Sequence, residues 1–150
     1  MTQAIMVQGT ASNVGKSIVT TALCRILAQD GYKIAPFKSW NMALNSYVTA
    51  KGREIGRAQA IQAAAAGVDV TVNMQPLLLK PKGNNKSQVI VQGKPIGDFG
   101  IDRKTNNYIK WALGIIENSL SQLAQDYNRL VLEGAGSPAE INIKERDIAN

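Results

Sequence analysis

The chain has 150 residues, with 17 Lys+Arg against 11 Asp+Glu, a formal charge of +6 and a pI of about 9.6. Its 45% hydrophobic and 19% charged content is that of a globular domain, which excludes a disordered or low-complexity chain. With no histidine and a single cysteine, Cys24, the chain excludes within itself Ser-His-Asp and Cys-His catalysis, histidine zinc sites and an internal disulfide.

The length suits one domain. No run approaches the ~18 uninterrupted apolar residues of a membrane span, and Met1-Thr2-Gln3 lacks the basic start of a secretion signal. A cytoplasmic location and no membrane partner are therefore expected. The basic balance points to an anionic partner. Because Lys and Arg are dispersed and aromatics make up 5%, that partner is expected to be a small phosphorylated or carboxylated ligand and not nucleic acid.

The first apolar run, Ala4 to Val7, is short and meets a glycine-rich turn at once, as a buried parallel strand feeding a loop does. From Gly15 the spacing becomes helical: Ile18, Val19, Ala22, Leu23, Ile26 and Leu27 form one apolar face, and Gly31 supplies a left-handed stop. Cys24 within this helix reads as an inert core or boundary residue. A second strand spans Lys33 to Phe37, and a polar segment from Lys38 to Ala50 shows no periodicity. Strand, turn, helix and strand in so few residues make a βαβ unit, hence a largely parallel sheet.

The next helix is expected from Glu54 to Ala66, with an alanine-rich face and Gly67 just beyond. Leu77-Leu78-Leu79 and Val89-Ile90-Val91 are strand candidates around a possible hairpin loop at Pro81 to Asn85. Thr105 to Gln125 carries an amphipathic helix on Ile109, Leu113, Ile116, Leu120 and Leu123, and Leu130-Val131-Leu132 is the last strand. The expected fold is α/β, P-loop NTPase-like, a mostly parallel sheet flanked by helices. Because Asn150 follows no terminal helix or strand, the chain reads as the front part of something longer.

Gly9-Thr10-Ala11-Ser12-Asn13-Val14-Gly15-Lys16-Ser17 lies between the first strand and the first helix, the context a phosphate loop requires. Gly9 and Gly15 let backbone N–H groups approach phosphate oxygens, and the helix N-terminus adds partial positive charge. Lys16 can bridge β- and γ-phosphates, and the Ser17 hydroxyl can ligate Mg²⁺. The spacing is one residue longer than Gly-x-x-x-x-Gly-Lys-Ser, Thr10 standing where that pattern has its first glycine. An acidic residue at another strand end is needed for the metal. Glu133, followed by Gly134-Ala135-Gly136, fits, with a surface glutamate as the bland alternative.

With these residues in hand, the chain resembles the amino-terminal part of the cobyric acid synthase family, glutamine-dependent amidotransferases of cobalamin biosynthesis. The phosphate loop is shared in outline with dethiobiotin synthetase and cobyrinic acid a,c-diamide synthase. More specific are Phe37-Lys38 with Asn41-Met42-Ala43-Leu44-Asn45-Ser46, Glu54-Ile55-Gly56-Arg57-Ala58-Gln59-Ala60, Met74 to Pro81 with Ser87-Gln88-Val89, and Glu133 to Asn142 through Asp147-Ile148-Ala149-Asn150. Ser39-Trp40 and Ala43 depart from the family pattern. Trp40 thereby raises the question of how the substrate edge packs at this loop.

The resemblance implies a dethiobiotin-synthetase-like fold, ATP and Mg²⁺ as cofactors, and a corrinoid carboxylate as substrate. Ammonia would come from a class I glutamine amidotransferase domain that these 150 residues do not contain; Cys24 has no histidine to activate it. The implied site has Lys16 and Lys38 as catalytic residues, with Gly9, Thr10, Asn13, Val14, Gly15, Lys16 and Ser17 around the nucleotide. Ser17 and Glu133 take the metal, and Asn41, Asn45 and Arg57 hold the substrate. Asn41 and Asn45 as loop-capping residues, and Arg57 as a solvated helix residue, are the plain alternatives. A homo-oligomer is left open. Two other functions compete: a dethiobiotin-synthetase-like carboxylate-activating enzyme, and a partition-type ATPase, which usually carries an extra lysine near the start of its loop; none stands at Gly9 to Ser12.

Overall fold

The computed structural model describes residues 2–83, 86–99, 106–138 and 148–150. Thr105, the 84–85 end of the expected hairpin loop, and residues 139–142 and Asp147 of the family resemblance lie outside the described residues.

Strand β1 (Gln3–Val7), helix α1 (Lys16–Gln29) and strand β2 (Ile34–Phe37) form the expected opening unit. The last strand in the chain, β9 (Arg129–Glu133), inserts between them, giving an all-parallel sheet in the order β1-β9-β2. This is the α/β arrangement of a parallel sheet flanked by helices that the sequence predicts.

The polar segment after β2 is not irregular throughout. It holds β3 (Trp40–Met42) and β4 (Ser46–Val48). The expected helix start at Glu54 is corrected: Glu54–Gly56 is a strand, β5, antiparallel to β4, and helix α2 runs Arg57–Ala66. Gly56 is extended (φ −62°, ψ 139°), so helical dihedrals begin only after it. Ala60, Ala63 and Ala66 make the buried alanine face of α2, and Gly67 closes it in the left-handed conformation.

Strand β6 (Leu77–Lys82) pairs antiparallel with β7 (Lys86–Val91), as the hairpin reading requires, with pairing that extends through Pro81 and Lys82. β7 in turn pairs with β8 (Lys94–Phe99), a strand the sequence reading lacks, and β3 joins β6 in parallel to complete a second sheet. The β7–β8 turn is Gln92-Gly93, both at positive φ (48° and 72°), the geometry of a two-residue hairpin turn. A Cβ on Gly93 would lie 2.6 Å from Arg53 Cβ and 2.8 Å from Val72 Cγ1. Gly93→Ala therefore combines left-handed strain with overpacking, and is expected to lower the unfolding free energy by about 2–4 kcal/mol in urea melts.

Helix α3 (Asn106–Asp126) buries Ala112, Ile116, Ser119 and Leu123, a stripe displaced from the expected one, so that Leu113 is exposed. The main core lies where Phe37, Ile55, Ala63, Met74 and Leu77 meet this stripe. Half-buried Trp40 packs against the same cluster.

Two burial expectations fail together. β1, expected to be buried, is the edge of its sheet among the described residues, and Ile5 is 50% exposed. On α1, the buried positions are Lys16, Thr20 and Cys24, with Leu23 and Leu27 half-buried beside them, while Ile18 (76% exposed), Val19, Ala22 and Ile26 face outward. Turning Lys16 inward sets the rotation of the whole helix. At about 100° per residue, positions 20, 23, 24 and 27 then follow it onto the sheet, and 18, 19, 22 and 26 fall on the opposite arc.

Candidate functional site

In a parallel sheet, chain-reversing loops and helix N-termini gather at the carboxyl ends of the strands, where ligands of such folds bind. The register brings three ends level: Val7 of β1 faces Glu133 of β9, and Phe37 of β2 faces Leu132. The phosphate loop follows β1, Lys38 follows β2, and Glu133 is the last residue of β9. Because β9 lies between the other two, Glu133 is placed between the phosphate loop and Lys38, although 95 residues separate it from that lysine.

The phosphate loop reaches α1 through Asn13 (φ 61°) and Gly15 (φ 99°), a left-handed approach that glycine adopts without steric cost. Among the described residues no side chain caps α1, so its first backbone N–H groups are left for an anion. A Cβ on Gly9 would stand 2.6 Å from Val14 Cγ2 and 3.1 Å from Lys16 Cγ, so the loop folds tightly back over this residue. Thr10, Asn13 and Val14 are exposed around the loop. The Lys16 ammonium donates to the carbonyls of Ala11 and Gly136, both at 2.8 Å, and so ties the phosphate loop to the loop after β9.

Glu133 is the hub. It is 2% exposed, and its Oε1 accepts from Ser17 Oγ at 2.7 Å and from Lys38 Nζ at 2.7 Å. Its Oε2 accepts from Gln62 Nε2 of α2 at 2.6 Å. Cys24 lies within the field of this carboxylate. Burial first, and then the negative charge of Glu133, push its thiol up to about 12. Cys24 is thus the inert core residue the sequence predicts, and 5,5′-dithiobis(2-nitrobenzoate) is expected to label it only after unfolding, even at pH 9.

The donor set suits the expected ligands. Ser17 Oγ and Glu133 Oε1 are hard oxygens 2.7 Å apart, a donor type that would suit Mg²⁺. Lys16 and the uncapped α1 N-terminus suit a polyphosphate. Among the described residues no group of three or more His, Cys, Asp or Glu side chains gathers to hold a metal ion by itself.

The expected substrate residues are not members of this hydrogen-bonded cluster among the described residues. Asn41 is half-buried on β3; Asn45 and Arg57 are exposed. The backbone N–H of Arg57 donates to the carbonyl of Asn45 at 3.4 Å, which brings those two positions together. Among the described residues, no side-chain hydrogen bond or ion pair joins Asn41, Asn45 or Arg57 to Lys16, Ser17, Lys38 or Glu133.

Sequence reasoning missed Gln62. The signal was present: Gln59 and Gln62, three residues apart on a helix otherwise rich in alanine, share a face, and both are fully buried. Ser39, next to Lys38, and Thr20 of α1 are likewise buried, with hydroxyls that have no hydrogen-bond partner among the described residues.

Comparison with known proteins places this geometry. A family model described as "CobQ/CobB/MinD/ParA nucleotide binding domain" matches residues 5–143. Over all 150 residues the chain is 60% identical to a cobyric acid synthase of Pelotomaculum thermopropionicum, spanning 29% of that protein. It is 56% identical over 149 residues, 99% of this chain, to a cobyric acid synthase of Nitratidesulfovibrio vulgaris, spanning 27% of it. With the adenosylcobalamin biosynthesis bifunctional protein CobDQ of Leptospira interrogans the identity is 54% over 149 residues, 99% of this chain and 17% of that protein. The chain thus spans less than a third of the length of these relatives. By the match across its strands, phosphate loop and helices, the chain belongs to the CobQ/CobB/MinD/ParA nucleotide-binding domain family and resembles cobyric acid synthases over its whole length.

Proposed function

We propose that this chain supplies the ATP site of a cobyric acid synthase, which amidates peripheral carboxylates of adenosylcobyrinic acid a,c-diamide to give adenosylcobyric acid. The observation that carries the reading is the convergence of Ser17 and Lys38 on one oxygen of Glu133 at the mouth of the phosphate loop. The names of the relatives give cobyric acid as what those proteins make, and the a,c-diamide substrate is what the family resemblance implies.

A carboxylate oxygen is a poor leaving group, so amide formation in water needs activation. In the proposed reaction a corrinoid carboxylate oxygen attacks the γ-phosphorus of ATP, the bond from that phosphorus to the β–γ bridging oxygen breaks, and ADP leaves. Ammonia then attacks the acyl phosphate carbon, the bond from that carbon to the phosphate oxygen breaks, and the departing phosphate takes up the proton that the nitrogen loses. Lys16 holds the β- and γ-phosphates, and Lys38 steers the carboxylate to the γ-phosphate. Both act by positioning and charge neutralisation around an in-line transfer. Ser17 and Glu133 would hold Mg²⁺, which would supply neutralisation of phosphate charge. Asn41, Asn45 and Arg57 are assigned to amide and carboxylate arms of the corrinoid. The ammonia source is a glutamine amidotransferase domain in the remaining length that the relatives possess, and the setting is the cytoplasm. Among the described residues no helix is long and apolar enough to cross a membrane.

The test supplies ammonium directly, so that glutamine use is not required, and follows ADP release. Stimulation by the corrinoid a,c-diamide is the expected result. Stimulation by a diamine with bicarbonate instead restores the dethiobiotin-synthetase-like alternative. Stimulation by duplex DNA with steep salt dependence restores the partition-type ATPase.

A further inference from the structure

Gln62 lies 71 residues from Glu133 in sequence, on a different element, and is fully buried. Its Nε2 donates to Glu133 Oε2, the oxygen not engaged by Ser17 and Lys38, while among the described residues its own buried Oε1 has no hydrogen-bond partner. A buried amide with half its capacity unmet is costly, and a core helix of alanines offers no packing reason for it. We infer that Gln62 is a positioning residue: its amide pins the rear oxygen of Glu133 so that the front oxygen stays aimed at Ser17, where the nucleotide-bound divalent cation is held. This inference rests on the metal role proposed for Glu133.

The choice of side chain follows from charge. An ionised carboxylate only accepts, so the group behind it must donate. Lys38 already supplies one positive charge to Glu133. A second cation at position 62 would neutralise the carboxylate further and compete with the metal, whereas an amide orients the carboxylate and leaves its charge available. Partners that orient a metal ligand from behind carry about 10–100-fold in metal affinity.

The experiment titrates Mg²⁺ into this chain with a fluorescent ATP analogue and, separately, replaces Mg²⁺ by Mn²⁺ and reads the bound ion by electron paramagnetic resonance. In Gln62→Met, similar in volume but with no donor, the half-saturating Mg²⁺ concentration is expected to rise about tenfold or more. Analogue binding in EDTA is expected to stay unchanged. An unaltered Mg²⁺ midpoint, or an equal loss with and without metal, overturns the inference and leaves the proposed function standing. Absence of any Mg²⁺ dependence in the unsubstituted chain overturns the metal role of Glu133 and the inference together. Gln62→Asn, whose amide is one methylene too short to reach Glu133 Oε2, keeps the test alive should Gln62→Met fold poorly. The Mg²⁺ midpoint is expected to rise in that variant with analogue binding in EDTA unchanged, and an unaltered midpoint overturns the inference.

Discussion

Replacing Glu133 by alanine is expected to lower the unfolding free energy by about 3–5 kcal/mol, the usual range when one partner of a buried ion pair is removed. The side chains of Glu133 and Lys38 are 1% and 9% exposed, so the substitution leaves the Lys38 ammonium buried without its counter-charge. It also removes the acceptor of Ser17 Oγ and the partner of the buried Gln62 amide. Against a total stability of about 5–15 kcal/mol, this is a large fraction. The check is a double-mutant cycle in urea: Lys38→Met combined with Glu133→Leu leaves no orphaned charge and is expected to cost much less than the two single losses added. Strict additivity would show that the two groups do not act as a pair. The charge-removing, shape-keeping Glu133→Gln gives the functional half of the result, and undiminished Mg²⁺ dependence of nucleotide binding in that variant counts against the metal role.

Lys16→Ala is expected to weaken ATP binding about 100-fold and to abolish substrate-dependent ADP release. Charge-assisted hydrogen bonds contribute about 1.5–3 kcal/mol each, and tenfold in affinity corresponds to about 1.4 kcal/mol. The fold is expected to survive. Among the described residues Lys16 donates to two backbone carbonyls, Ala11 and Gly136, and to no buried carboxylate, so its loss strands no charge there. Far-UV circular dichroism together with a nucleotide titration separates the two effects. Retained turnover removes Lys16 from the mechanism.

The contrast between these two residues shows where sequence reading succeeds. Lys16 is recognisable because the loop that uses it is contiguous: strand, glycines, Gly-Lys-Ser and helix all lie within a few residues of one another. Glu133 is recognisable more weakly, as an acidic residue ending an apolar run before glycines. That it accepts from Ser17, Lys38 and Gln62 together depends on β9 entering between β1 and β2, a pairing that no local pattern specifies.

The misread faces have the same origin. Periodicity told that α1 has an apolar side but not what lies against it; Lys16 turned inward placed Thr20 and Cys24 on the sheet and left Ile18 outside. Glu54-Ile55-Gly56 has no strong local preference, so the local pattern alone merges it with the first turn of α2, and its pairing with β4 makes it strand β5. Gln92-Gly93, by contrast, is a local turn signal ahead of β8 that the sequence does carry.

By itself the sequence determined the phosphate loop, the α/β class, the parallel opening unit and the family resemblance, because each is written in neighbouring residues or in a motif of fixed spacing. Only the tertiary structure decided which oxygen of Glu133 faces Ser17, that Gln62 stands behind it, and which arc of α1 is buried. Those depend on strand order and helix rotation, and both are set by contacts between residues far apart in the chain, where burial and hydrogen-bond satisfaction of the whole outweigh local preference.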